Sequence, residues 1–118
     1  MMMRKLLLIA ALLTFGSTLN AMSPESDKAC RKLVENLAAM AVGGAPLDVM
    51  HSHNVLPTSY LKDWSSPAFN ADMVNSILVY VYFRIGRSIM LNGVAGFGAS
   101  NAAKDDFCSS QQASMYFK

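Results

Sequence analysis

The stretch Asn70–Asn92, NADMVNSILVYVYFRIGRSIMLN, is the longest apolar run outside the N-terminal region, and its reading decides the fold. Met73, Val74, Ile77, Leu78, Val81, Ile85 and Ile89 recur at helical spacing and share one wide face. Val79, Phe83 and Met90 fall on the back, leaving a narrow polar stripe of Ser76, Tyr80, Arg84 and Arg87. A helix apolar nearly all round is normally buried by several neighbours, so this one is expected at the centre of its domain. Asn70 is the expected N-cap, with Asp72 in the first turn, where the helix dipole favours an anion. Asn92-Gly93 is the expected C-terminal stop. Gly86, lacking a side chain, offers a place where another backbone could come close.

The rival reading is a strand. Ile77–Phe83, ILVYVYF, is rich in β-branched and aromatic residues, and local propensity favours extended structure there. The helical pattern is sustained for about six turns, longer than most strands, and the helix is preferred for that reason. A transmembrane span is disfavoured because Arg84 and Arg87 cut the apolar run well short of the ~20 residues a bilayer needs.

Upstream, the chain opens MMMRKLLLIAALLTFGSTLNA. Arg4 and Lys5 form a charged start, Leu6–Phe15 an apolar core, and Gly16, Ser17 and Ala21 supply small residues before a cut, the tripartite form of a secretory signal peptide. Residues 1–21 are therefore expected to be cleaved, although Leu19 is not the usual small residue three positions before that cut. An uncleaved membrane anchor is the alternative. No Cys stands just after the apolar core, which argues against a bacterial lipoprotein anchor. The full chain has 10 Lys+Arg and 8 Asp+Glu. Residues 1–21 carry two of the basic residues and no acid, so residues 22–118 balance at 8 against 8. The basic excess is a targeting feature, and no nucleic-acid footprint is left.

The remaining 97 residues suffice for one domain with one modest core. Cys30 and Cys108 lie near its two ends, and an even count in an exported chain reads as one disulfide. Two free buried thiols are the alternative. Ser23-Pro24-Glu25 is a helix start, with an N-cap Ser, Pro at the first helical position and an acid in the first turn. From there Cys30, Leu33, Val34, Leu37, Ala38 and Ala41 make one face and Lys28, Arg31, Lys32 and Glu35 the other, up to Gly43-Gly44. Ala45–Ser66 is punctuated by prolines, with short helical turns expected near Leu47–His51 and Thr58–Trp64; Tyr60, Leu61 and Trp64 are expected to cover the central helix. Gly93–Ser100, GVAGFGAS, reads as a connector. A last helix is expected from about Ala102, capped by Ser100 or Asn101, with a weak apolar face of Ala103 and Phe107, then Ser110 and Ser114. It would be held mainly by the disulfide, with fraying beyond about Ser110. The fold expected is all-α: a small single-domain bundle of three to five helices stapled by one bridge.

Chemistry is sparse. His51 and His53, with Asp48 and Asp63 nearby, share a face only in an extended chain, and no motif positions a third ligand, so a solvated loop is expected in place of a metal site. Gly93, Gly96 and Gly98 give G-x-x-G-x-G, which is neither the dinucleotide fingerprint nor a P-loop, and no cofactor is expected. Met1, Met2 and Met3 would leave with the signal segment, and the other methionines, such as Met40, Met73 and Met90, are expected at core positions of helices, as packing and not as a soft-metal site. Tyr80, Arg84 and Arg87 are the candidate partner-binding residues, because Arg suits bidentate recognition of a carboxylate. The plainer alternative has the two arginines reaching solvent or pairing with Asp63, Asp105 or Asp106.

With export, compactness and no catalytic constellation, the expectation is a periplasmic or secreted non-catalytic binding protein, an inhibitor or immunity-type partner of another protein. The alternative is an accessory component of an envelope secretion or conjugation assembly. A small hydrolase or metal binder using His51 and His53 is the third reading.

Overall fold

A computed structural model describes residues 22–52, 55–96 and 98–118. The expected signal segment 1–21, His53 and Phe97 lie outside the described residues. Five α-helices follow in order: α1 (Pro24–Val42), α2 (Leu47–Ser52), α3 (Pro67–Asn92), α4 (Ala99–Cys108) and α5 (Gln111–Tyr116), with a 3-10 turn at Thr58–Tyr60. The all-α expectation holds, and Ile77–Phe83 is helical despite its β-rich composition.

Local chemistry accounts for the boundaries. The Ser23 side chain accepts from the Ser26 N–H at 3.1 Å, Pro24 opens α1, and Gly43-Gly44 ends it, Gly44 with φ 78. The same device starts α3. Ser66 accepts from the Phe69 N–H at 3.2 Å and Pro67 stands in the first turn, so α3 begins three residues before Asn70, the expected cap. Gly93, at φ 75, closes α3 with its N–H on the Ile89 carbonyl, a left-handed stop that only glycine adopts without penalty. α4 starts at Ala99, earlier than expected. Gly98 (φ 73) occupies the cap position, so Ser100 and Asn101 are already helical.

The core lies where α1, α3 and α4 meet. Cys30, Leu33, Val34, Leu37 and Ala38 of α1 face Met73, Val74, Ile77, Leu78, Val81 and Ile85 of α3, with Ala103 and Phe107 of α4 between them. The i, i+4, i+7, i+8 spacing in α1 produces its buried face. Cys30 and Cys108 form the disulfide, Cα atoms 6.0 Å apart, and join α1 to the end of α4. A bridge between residues 78 apart in sequence stabilises by about 4–5 kcal/mol on the chain-entropy account.

The C-terminal tail does not fray. The chain breaks at Ser109-Ser110, and Ser110 caps α5 by accepting from the Ala113 N–H at 3.3 Å. That restart changes the helical phase, so Ala113, Tyr116 and Phe117 turn inward and are buried, in place of the weak face carried on through Ser110 and Ser114. Phe117 then pairs with Leu61 in an isolated antiparallel bridge, with Lys62 N–H on Tyr116 O and Lys118 N–H on Tyr60 O, both at 2.9 Å. Of the three residues expected to cover the central helix only Leu61 is buried. Tyr60 is at the surface and Trp64 is 54% exposed.

Candidate functional site

The polar stripe of α3 is satisfied by the chain's own C-terminal elements. The Tyr116 hydroxyl donates to Asp72 at 2.5 Å and lies 3.1 Å from Ser76 Oγ. Gln112 Nε2 donates to Ser76 Oγ at 3.3 Å, and its Oε1 accepts from the Tyr80 hydroxyl at 3.1 Å. Burial first, and the neighbouring Asp72 carboxylate second, push the Tyr116 hydroxyl above its ordinary pKa. The rings contribute too: Phe69 meets Tyr116 and Tyr80 meets Phe107 edge-to-face, centroids 5.3 and 5.5 Å apart. This network fastens α5 to the first half of α3.

Charge pairs fasten α4. Arg84 grips Asp106 with both Nε and Nη2, at 2.5 and 2.8 Å. The guanidinium holds the Asp106 carboxyl below its usual range, and the carboxylate raises the Arg84 pKa in turn. Arg31 of α1 sits between Asp27 and Asp105, and Lys104 donates to Glu35 at 3.1 Å. Arg84 therefore follows the ion-pairing alternative. Arg87 is exposed, and among the described residues it makes no ion pair.

Beyond the stripe the back of α3 is bare, against the expectation of a helix covered on all sides. Val79 is 70%, Phe83 61% and Met90 87% exposed; Tyr82, Ile89 and Leu91 are also open. Ile89, expected on the buried face, gives way to Ser88, whose hydroxyl donates to the Val94 carbonyl at 2.8 Å where the chain turns back toward α4. Met73 is in the core and Met40 packs against its edge, but Met90 is at the surface. The four other described helices cannot surround a helix of 26 residues: α1, α4 and α5 take the covered sides, and nothing in the described chain remains for the back.

Gly86 faces this bare side. Beyond its own turn of helix, no described atom lies within 4 Å of where a Cβ would stand, so among the described residues no other backbone comes close there. A shallow dent of about 540 Å³ opens over it, lined by Tyr82, Phe83, Gly86, Arg87, Met90 and Leu91. Arg87 also borders a smaller dent of about 150 Å³ beside Ser88 and the start of α4, and a third, of about 250 Å³, lies by Val79 and Tyr80. Arg84 passes over the Phe83 ring, 5.8 Å from its centroid. The structure thus brings Tyr80 and Arg84 into internal bonds and leaves Arg87 at the edge of an apolar hollow. The apolar residues around that hollow were legible only as the back of a helix; their 4-3-4 spacing at 79, 83, 86 and 90 was the available signal.

Elsewhere the chemistry is thin. His51 bonds to Asn75 Oδ1 at 2.9 Å, tying α2 to α3. Among the described residues no three His, Cys, Asp or Glu side chains converge as metal ligands, and no cysteine is free. Gly93, Gly96 and Gly98 lie between α3 and α4, and no described helix is long and apolar enough to cross a membrane. Comparison with protein-family models, with curated proteins and with solved structures found no match to this chain.

Proposed function

We propose that this is an exported, non-catalytic binding protein that works by contact with another protein. One observation carries the reading: a domain whose polar and charged groups are largely paired internally leaves three turns of its central helix apolar and open. Exposed apolar residues scattered singly need no explanation, but an aligned set on a rigid helix marks an interaction surface. The leader-like residues 1–21 and the bridge between Cys30 and Cys108 support an oxidising compartment outside the cytosol, the periplasm or beyond.

Two kinds of protein partner follow. An inhibitor or immunity-type protein would meet one soluble target through this face. An accessory component of an envelope secretion or conjugation assembly would have its central helix completed by a neighbouring subunit, and the uncovered back of α3 favours this second reading. Purification of the oxidised protein from the envelope of its producing cell tests both. A stoichiometric soluble partner supports the first and a membrane-associated one the second. Recovery as an unaccompanied monomer from every fraction overturns the proposal.

A further inference from the structure

We infer that the occupant of the bare face is an amphipathic helix of a different protein, which seats an apolar side chain over Gly86 and presents a carboxylate to Arg87. This rests on the protein-binding reading above and names the chemistry of the partner. Val79, Phe83, Gly86 and Met90 follow one another at 4-3-4 spacing, which confines them to an arc of about 60° on α3. That is the spacing of a helix–helix seam in which side chains of one helix enter holes on the other. Phe83 and Met90 form ridges one turn to either side of Gly86, and the open space above Gly86 between them is such a hole. The missing side chain leaves this space open. Ala is the better helix former at an interior position, so this glycine serves no helical purpose.

Arg87 stands roughly 70° from the centre of the seam, the flank from which charged residues of paired helices reach across to select a partner. It is the cation beside the hollow that the described chain leaves without an ion-pair partner, because Arg84 is held by Asp106 and Lys104 by Glu35. An apolar hollow bordered by one uncompensated cation is complementary to an apolar side chain with an acid beside it.

Two other occupants fit less well. A second copy of this chain cannot supply the acid from the same seam, since no Asp or Glu occurs between Asp72 and Asp105. A two-fold antiparallel pair crossing at Gly86 would also set the two Arg87 side chains beside one another. A lipid surface has no use for a hole, and attracts proteins through clusters of cations; among the described residues Arg87 is the one Arg without an ion pair, and residues 22–118 carry equal numbers of acids and bases.

The test is a photo-crosslink from a benzoylphenylalanine placed at Met90 in the full chain, in the producing cell, with Lys28 as the control site. The side chain at 90 is nearly free of neighbours, so the fold tolerates the probe. The expected adduct is one segment of another protein with apolar residues at 3-4 spacing and an Asp or Glu beside them. Arg87→Glu should lower its yield at least tenfold, and exchanging the partner's acid for Lys should restore it. Gly86→Leu should also lower the yield at least tenfold without lowering the melting temperature, which separates a filled hole from a damaged fold. A protein adduct insensitive to Arg87→Glu, a segment without an acid, or an adduct with a second copy overturns this inference and leaves protein binding standing. A lipid adduct, or no adduct above the Lys28 control, overturns the binding reading as well.

Discussion

The two halves of α3 carry similar apolar residues and meet different fates. In the first half, up to Tyr80, the outward polar groups Asp72, Ser76 and Tyr80 are answered by Tyr116 and Gln112 of α5, and Asn75 by His51 of α2. In the second half, from Val81 to Leu91, the inward residues Val81 and Ile85 are buried, yet Tyr82, Phe83, Met90 and Leu91 face solvent, as does Val79 just before them. Among the described residues, α5 and α2 lie against one end of the helix and nothing lies against the back of the other. Composition alone therefore did not decide what was covered; the supply of neighbours did. The covered half is a matter of stability, and the bare half is open to an interaction.

Substitutions that strip the covered half should cost most. Phe107 is fully buried under the Tyr80 ring, and Phe107→Ala should destabilise by about 3–5 kcal/mol in urea titration. Replacing Cys30 and Cys108 together with Ser should cost about 2–5 kcal/mol in the same measurement. Tyr116→Phe keeps the ring against Phe69 but removes the hydroxyl from Asp72 and Ser76, an expected loss of about 1 kcal/mol. None of the three substitutions touches the bare face.

The Arg84–Asp106 pair sharpens the contrast through pH. The folded Asp106 pKa lies below its ordinary value of 3.8 because Arg84 donates to it. Its contribution is therefore complete above about pH 4 and is lost as pH falls through the lowered folded value. Asp106→Asn should flatten that part of the acid limb of stability against pH and leave the neutral region's slope unchanged. At the small end, Gly86→Ala should raise stability by up to about 1 kcal/mol, since open space surrounds the missing Cβ.

Much of the fold was legible because it depends on local signals. Ser23-Pro24 and Gly43-Gly44 bound α1, and helical periodicity outweighed β propensity in Ile77–Phe83. The same Ser-Pro signal at Ser66-Pro67 carries α3 back beyond Asn70, where a single proline read as punctuation concealed it. The tail was not legible because no single period runs through Ser109-Ser110; the Ser110 cap restarts the helix in a new phase, and Tyr116 and Phe117 close the core. The site was half legible. Arg84 had acids available from α4, and which of them it would take depended on how α4 docks. The exposure of Val79, Phe83 and Met90 could not be read from the pattern, because an apolar face gives the same sequence signal whether its own chain or another molecule covers it.

The central claim is that the outward side of α3 from Val79 to Met90 is surplus to folding and needed for binding. Val79→Glu combined with Met90→Glu tests it most directly, by thermal unfolding and partner recovery on the same preparation. The account predicts a melting temperature within ~8 °C of the unsubstituted protein, as expected for two surface changes of up to about 0.5 kcal/mol each in a domain of this size, together with loss of the stoichiometric partner. Unfolding of the doubly substituted protein, or undiminished recovery of the partner, would contradict it.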